Sequence, residues 1–260
     1  MMYTHPVKRR SSTRYPSRTP LRRRRADYTR QVNTNNYKPK VNRRLFTEHA
    51  KPTLRKQYLE EVQHGPSHSL RSASGLTTYV TYPTRYSNGD GRCTDYIKLL
   101  NLKMSGRIRV RPNTHGDVSM GAPDGVIGTF IMCFIRDKRP ELPDNASALP
   151  TFKDFFGSYE AVYGDVRVVD HLRERYKLMA FVKMDVSFSA VEAQRSMRRT
   201  VAISTARYPI WATFKDTDLT NAGGNYKNIS KNAILISYAW VSDRDSVCDV
   251  YAQLLLSYLG

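Results

Sequence analysis

The positive charge of this chain is concentrated at one end. Residues 1–56 contain 17 lysines and arginines but two acidic residues, a net charge of +15 out of +19 for all 260 residues. This segment has few aliphatic side chains, so it cannot bury enough apolar surface to offset the entropy lost on ordering. The sequence therefore predicts a disordered basic arm at 1–56, a linker at 57–74 and one folded domain at 75–260.

The domain is predicted to be an all-β, jelly-roll-like antiparallel sandwich. Runs rich in β-branched and aromatic residues predict strands; they lie at 77–82, 96–104, 107–111, 126–135, 177–188, 200–205, 231–241 and 247–258. Short helices are expected at 152–159 and 169–176. Many short strands with turn-rich connections and few helices are typical of a sandwich or jelly roll.

A charge excess of this size needs an anionic partner. Nucleic acid is the first candidate, an anionic membrane surface the second and an acidic protein the third. No apolar run reaches the ~18 residues of a membrane span, and no apolar signal-peptide core occurs. We therefore expect a chain that is made in the cytosol and not secreted. Its isolated cysteines, Cys93, Cys133 and Cys248, are predicted to be free thiols.

The strongest candidate site is the arm. Its two basic clusters are Arg22, Arg23, Arg24 and Arg25, followed after a spacer by Lys38, Lys40, Arg43 and Arg44. Guanidinium groups bind phosphates bidentately, and a flexible basic arm releases counterions from nucleic acid. Two basic clusters separated by a spacer also match a bipartite nuclear import signal. The alternative is a solvated tail that only keeps the protein soluble.

A second candidate is the alternating run Arg107, Ile108, Arg109, Val110 and Arg111. Period-2 alternation places the three arginines on one face of a strand and the two apolar residues on the other. The functional interpretation is a basic platform that contacts a nucleic-acid backbone. The alternative is an ordinary solvated face of a sheet.

Two weaker candidates lie elsewhere in the domain. Residues 168–182 carry the apolar side chains Leu172, Leu178, Met179 and Phe181, a loose match to an export signal that docks into a groove. The alternative is that they are core residues. Arg85 and Arg92 form a second, smaller basic element in a predicted turn, which a solvated loop explains equally well.

Nothing in the sequence indicates catalysis. Hydrolase, metalloprotease and phosphate-loop motifs are missing. His64 and His68 are four residues apart, but no nearby cysteine or acid completes a set of metal ligands. The sequence predicts a protein that is not an enzyme and that holds no metal or cofactor.

Residues 213–243 resemble the C-terminal part of begomovirus nuclear shuttle proteins, which are related to the geminivirus coat protein. The likeness is close in Thr213-Phe214-Lys215-Asp216 and in the run from Asn228 to Leu235, NISKNAIL. It continues in YIKL at 96–99 and LRERY at 172–176. The related coat protein has a jelly-roll fold, which the resemblance also implies here.

The resemblance implies a protein that binds viral single- and double-stranded DNA, enters the host nucleus and leaves it with the genome. It implies transfer of that genome to the viral movement protein at the host membrane. Expected host partners are import and export receptors, an acetyltransferase and a receptor-like kinase. Import would fall on Arg22–Arg25 with the second cluster, a second import element on Arg85 and Arg92, and export with the acetyltransferase contact on 172–182.

An arm joined to a jelly roll also suits a capsid subunit that packages single-stranded DNA. Closed shells would distinguish a capsid protein from a shuttle that coats DNA without fixed stoichiometry. Self-association into a homo-oligomer stays open from the sequence.

Overall fold

The computed structural model describes residues 54–85, 91–113, 125–141, 149–189, 191–216 and 222–260. In these ranges the chain forms two antiparallel β-sheets, one short α-helix and four 3-10 helices. The predicted all-β sandwich is thereby confirmed. Residues 1–53 of the basic arm lie outside the described residues.

The strands, in chain order, are β1 (Lys56–Gln63), β2 (Ser69–Arg71), β3 (Ser74–Tyr79), β4 (Tyr96–Pro112), β5 (Val126–Asp137), β6 (Tyr176–Phe188), β7 (Ala193–Ala202), β8 (Ile210–Phe214), β9 (Ile229–Lys231), β10 (Ala233–Ser242) and β11 (Ser246–Leu259). The larger sheet runs β1-β11-β4-β8-β9, with β2 paired to β11 and β7 paired to β4. The smaller sheet runs β3-β10-β5-β6.

Strand β4 is the centre of the larger sheet. It pairs along most of its length with β11, while its other edge pairs with β8 at 96–99 and with β7 at 101–110. The sequence predicts two strands here, but they are one, continuous through Gly106. A Cβ at Gly106 would overlap the carbonyl oxygen of Tyr251 and lie 3.0 Å from Cε of Met197, so glycine permits this close pairing.

The smaller sheet is covered on both faces, which explains the nearly unbroken apolar run in β5. Phe130, which is fully buried, has its ring 6.4 Å from that of Tyr238, and the Tyr238 hydroxyl donates to Oε1 of Gln63 in the larger sheet at 2.7 Å. The α-helix α1 (Phe152–Phe156) packs against β3 and β10. Thr151 caps α1, because its hydroxyl accepts from the backbone N–H of Asp154 at 3.3 Å.

The structure differs from the sequence prediction at residues 57–74. All eight residues of β1 pair with β11, so this segment is part of the sheet and not a linker. The alternation that marks a strand is hidden because polar side chains occupy inward positions of β1. Glu61 accepts the backbone N–H of Thr81 at 2.8 Å, and Gln63 accepts the Tyr238 hydroxyl.

Three other elements differ from their predictions. Strand β8 has no counterpart in the sequence analysis, and β7 begins seven residues before the predicted strand at 200–205. The predicted helix at 169–176 is a single 3-10 turn, Asp170–Leu172. Val168, Leu172 and Tyr176 follow a helical period, but Tyr176 pairs with Asp137 as the first residue of β6, so the segment does not continue as a helix.

The three cysteines are free, as predicted. Cys93 is exposed, whereas Cys133 and Cys248 are buried, and burial raises the pKa of both buried thiols. Helix α1 has five residues, and no helix in the described ranges is long and apolar enough to cross a bilayer.

Candidate nucleic-acid interface

The outer surface of the larger sheet carries the predicted arginine row. Arg107, Arg109 and Arg111 are exposed, while Ile108 and Val110 are completely buried. The predicted alternation is therefore confirmed. The row lies on β4, the central strand, so its neighbours on both sides determine its chemistry.

Cross-strand partners share a face of the sheet, and the register therefore identifies the neighbours of the row. Tyr251 of β11 and Ser196 of β7 lie opposite Arg107. Arg198 of β7 lies opposite Ser105, two residues before Arg107, and is also exposed. We call the outward side chains of Arg107, Arg109, Arg111, Arg198 and Tyr251 the basic face.

The arginines of the basic face differ in how far they are neutralised. Arg109 forms an ion pair with Glu192, and that hydrogen bond lowers the pKa of the Glu192 carboxyl. Arg111 lies 3.5 Å from Asp249. Arg107 donates to the neutral Oε1 of Gln194 at 3.2 Å and forms no salt bridge within the described part of the chain. Arg107 is therefore the member of the row best able to bind an external anion.

An open depression of about 480 Å³ lies beside Arg107 and includes Ser196, Tyr251 and Gln253 in its walls. Tyr251 is 47% exposed, so part of its ring faces solvent beside the depression. A guanidinium beside an exposed aromatic ring can contact a phosphate and a base at once. The geometry therefore suits a nucleic-acid strand better than a small ligand, for which the depression is too open.

Strand β7 adds further positive charge at the edge of the sheet. Arg195 and Arg199 lie opposite the buried residues Ile108 and Met104, yet both are exposed because β7 is an edge strand. Arg195, Arg198 and Arg199 are close together in the sequence and suggest a basic cluster in a turn, but the structure places them on strand β7. The register between β4, β7 and β11 brings the cluster together, and composition alone gives no signal of that register.

The second predicted basic element is not a surface feature. The Arg92 side chain is fully buried, and its guanidinium donates to Asp216 at 2.6 Å and to the carbonyl of Thr94 at 2.9 Å. Arg85 pairs with Asp95 at 2.6 Å. The guanidinium of Arg92 is occupied by interior hydrogen bonds, so Arg85 and Arg92 together do not present a basic patch to a receptor.

The four predicted export anchors do not form one exposed ridge. Leu172 ends a 3-10 helix, and Leu178 and Met179 lie on β6, all three partly buried against the core. Phe181 is 41% exposed. Because β6 is an extended edge strand, these residues do not lie on one face of a helix.

Next to these anchors, a buried polar cluster fixes the start of β6. Asp137 is completely buried and accepts the Tyr226 hydroxyl at 2.5 Å and Nη2 of Arg175 at 3.0 Å. Burial and the adjacent Asp137 carboxylate raise the pKa of Tyr226. Its members are far apart in the sequence, so no local pattern predicts this cluster.

The arm residues Arg22–Arg25, Lys38, Lys40, Arg43 and Arg44 lie outside the described residues, and their role stays a prediction. Within the described ranges, no group of three His, Cys, Asp or Glu side chains is placed to hold a metal ion.

The sequence is similar to known proteins over most of its length. The family described as geminivirus coat protein/nuclear export factor BR1 family matches residues 6–260. The nuclear shuttle protein of African cassava mosaic virus (isolate Nigerian) is 43% identical over 223 residues, covering 86% of this chain and 87% of the relative. That of squash leaf curl virus is 33% identical over 210 residues, covering 80% of this chain and 81% of the relative.

The nuclear shuttle protein of Indian cassava mosaic virus is 30% identical over 226 residues, covering 86% of each chain. These matches confirm the resemblance to begomovirus nuclear shuttle proteins, and the family model extends over the sandwich as well as most of the arm. The chain belongs to the geminivirus coat protein/nuclear export factor BR1 family.

Proposed function

We propose that this protein binds viral DNA and carries it between the host nucleus and cytoplasm, then passes it to the viral movement protein at the cell periphery. The observation that carries the proposal is the charge distribution. A segment of 56 residues holds +15 of the +19 net charge, and the larger sheet exposes a basic face on its central strand. Both surfaces suit a polyanion.

The arm supplies affinity without sequence preference. Lysine and arginine contacts with phosphates release condensed counterions, so binding falls steeply with salt. If 6–10 arm residues contact phosphates, affinity falls by roughly 10³–10⁵-fold between 50 and 200 mM salt. The basic face adds a contact of fixed geometry that orients the strand on the domain.

The transport part of the proposal draws on the relatives, which are named nuclear shuttle proteins. Arg22–Arg25 with Lys38, Lys40, Arg43 and Arg44 form the import signal, because a bipartite signal needs two basic clusters and a spacer. Of the four candidate export anchors, Phe181 is exposed, whereas Leu172, Leu178 and Met179 are partly buried. Recognition of Leu178 and Met179 by a receptor requires the edge strand β6 to separate locally from β5.

A fluorescent fusion of the full chain in plant cells tests transport. Changing Arg22–Arg25 to alanine is expected to abolish nuclear accumulation. The matched control removes four exposed arginines from the domain, Arg195, Arg198, Arg199 and Arg207, and leaves accumulation intact. Equal loss in both variants reduces the import signal to a net-charge effect, and no loss in the arm variant contradicts it.

Binding of DNA is tested by fluorescence anisotropy with labelled single- and double-stranded DNA over a salt series. The arm variant is expected to bind more weakly and with a shallower dependence on salt than the full chain. A flat salt response of the full chain contradicts the proposed role of the arm. We also infer that the protein acts by binding alone, so labelled DNA incubated with it and Mg²⁺ stays uncut and unjoined.

The second candidate is a capsid subunit that packages single-stranded DNA. The family description includes coat proteins, and a basic arm on a two-sheet sandwich suits an inner-facing genome contact. Electron microscopy of the protein mixed with DNA separates the two functions. Closed shells of uniform diameter favour the capsid, and irregular coated filaments favour the shuttle.

A further inference from the structure

The opposite end of β4 carries a second outward cluster that differs from the basic face. Lys98 of β4 lies opposite Trp211 of β8, and Tyr96 lies opposite Thr213. The rings of Tyr96 and Trp211 are 5.5 Å apart in an edge-to-face arrangement. Nζ of Lys98 lies 6.0 Å from the centre of the Trp211 ring.

These rings are not part of the sandwich core. Ile97 follows Tyr96 and Ala212 follows Trp211, and both are completely buried. Alternation therefore points Tyr96 and Trp211 to the outer side of the sheet. Tyr96 is 44% exposed, and Trp211 is partly exposed. The two rings together form a contiguous apolar patch, and exposed apolar patches with polar surroundings can mark binding sites.

Lysines surround the ring pair on the same outer face. One row crosses four neighbouring strands and consists of Lys56 on β1, Leu259 on β11, Lys98 on β4 and Trp211 on β8. Lys231 of β9 lies opposite Thr213 in the next row and is exposed. Adjacent strands are about 4.8 Å apart, so positive charges flank the rings on both sides.

Lys56 is also the last residue of the +15 segment, so the basic arm joins the fold within this row. We propose that Tyr96 and Trp211 form a stacking site for unpaired bases of single-stranded DNA, with Lys56, Lys98 and Lys231 contacting its phosphates. This inference rests on the proposed function and assigns single-strand recognition to named residues.

The positive charges and the aromatic rings together favour single-stranded DNA as the ligand of this site. Every base has a π-face, so stacking on aromatic rings is tolerant of sequence, and it combines with a positive groove that follows the backbone. Bases inside a duplex are already stacked on each other and cannot reach Trp211. The site therefore discriminates single-stranded from double-stranded DNA, whereas the arm binds both.

Intrinsic tryptophan fluorescence of the full chain tests the proposal directly. The chain has two tryptophans. Trp240 is completely buried and donates Nε1–H to Ser246 at 2.9 Å, so it serves as an internal reference. Titration with oligothymidylate is expected to quench the Trp211 emission along the binding curve, while the same length of duplex leaves the emission unchanged.

Substitutions test whether the fluorescence change comes from Trp211. Trp211→Phe removes the quenchable emission and keeps a ring for stacking. Trp211→Ala is expected to weaken oligothymidylate binding by about 5- to 150-fold without changing its salt dependence. Tyr163→Ala, which removes a 57% exposed tyrosine from the loop after α1, serves as the control and leaves affinity unchanged. Thermal melting confirms that each variant is folded.

Anisotropy of labelled oligothymidylate, measured in parallel, distinguishes failure of the stacking site from failure of the proposed function. If the DNA binds but the Trp211 emission is unchanged, or if duplex quenches it equally, the stacking site is overturned and DNA binding stands. If neither DNA binds, the proposed function itself is overturned.

Discussion

Arg92 and Asp216 form an ion pair in the interior of the domain, although they are 124 residues apart in the sequence. The Arg92 side chain is fully buried and that of Asp216 is 4% exposed. Burial alone would raise the pKa of Asp216, but hydrogen bonds from Arg92 and Asn228 and the charges of Arg92 and Arg85 outweigh it and lower the pKa. The pair ties the segment before β4 to the segment after β8.

Replacing Asp216 with asparagine is expected to destabilise the domain by about 3 kcal/mol, because it leaves the buried charge of Arg92 uncompensated. Asparagine tolerates the positive φ of 31° at this position, so the backbone is not the cause. Urea unfolding measures the change. Asp165→Asn is the control, since its ion pair with Arg167 is exposed and contributes at most about 1 kcal/mol. Equal effects contradict the structural role of the pair.

The same carboxyl makes stability depend on pH. Because the pKa of Asp216 is lower in the folded state, its contribution is present above the unfolded value of about 3.9 and is lost as pH falls through the folded value. Urea midpoints measured from pH 6 down to pH 3 should therefore fall below about pH 4. Asp216→Asn should flatten this decline, and a decline of unchanged steepness argues against it.

Arg107 is expected to contact DNA phosphate more directly than its neighbours, because Gln194 is its neutral partner. Arg107→Ala should weaken binding and reduce the slope of log K against log salt by about 0.9, the loss of one phosphate contact on duplex DNA. Lys183→Ala, on the exposed side of β6, is the matched charge control. An identical change of slope in both variants shows that net charge alone matters.

Gly106 permits the close approach of β4 and β11, so Gly106→Ala is expected to cost about 1–3 kcal/mol of stability through overpacking. The added Cβ meets the carbonyl oxygen of Tyr251. Gly164→Ala is the control because a Cβ there has nothing within 4 Å, and its cost should stay within about 0.5 kcal/mol. Chemical denaturation of both variants compares them.

The three cysteines should differ in how fast they react with a thiol reagent. Burial raises the pKa of the Cys133 and Cys248 thiols, and the thiolate is the reactive form. A thiol-specific disulfide reagent should therefore modify one exposed residue, Cys93, quickly in the native protein and all three after unfolding. Cys93→Ser should abolish the fast phase. Fast reaction of two or more thiols in the folded protein contradicts the burial described here.

The sequence predicted those parts of the fold whose apolar pattern is local. Alternation in Arg107–Arg111 placed its residues on the correct faces, and the apolar run at 126–135 predicted strand β5. Strand β1 was missed because Glu61 and Gln63 point inward and are satisfied by partners distant in sequence. Arg92 looked like a surface cation because its partner, Asp216, is supplied by another part of the chain.

The candidate site was predicted less completely than the fold. One row of arginines was visible from its spacing, but Tyr251 and Arg198 join it through the register of β11 and β7 with β4. Register depends on contacts over the whole sheet, so no short window of sequence contains it. The same holds for Trp211 and Tyr96, which are 115 positions apart in the sequence.

The pairing of β1 with β11 has a consequence for how the protein is made. Arg55 and Gly260 exchange backbone hydrogen bonds of 3.1 and 3.2 Å, joining segments some 200 residues apart. Because β11 lies between β1 and β4, the larger sheet cannot close until the ribosome has delivered the last strand. Topologies dominated by such distant contacts fold slowly. Strand β1, although it is the first strand in the chain, therefore stays without its sheet partner until most of the chain has been synthesised.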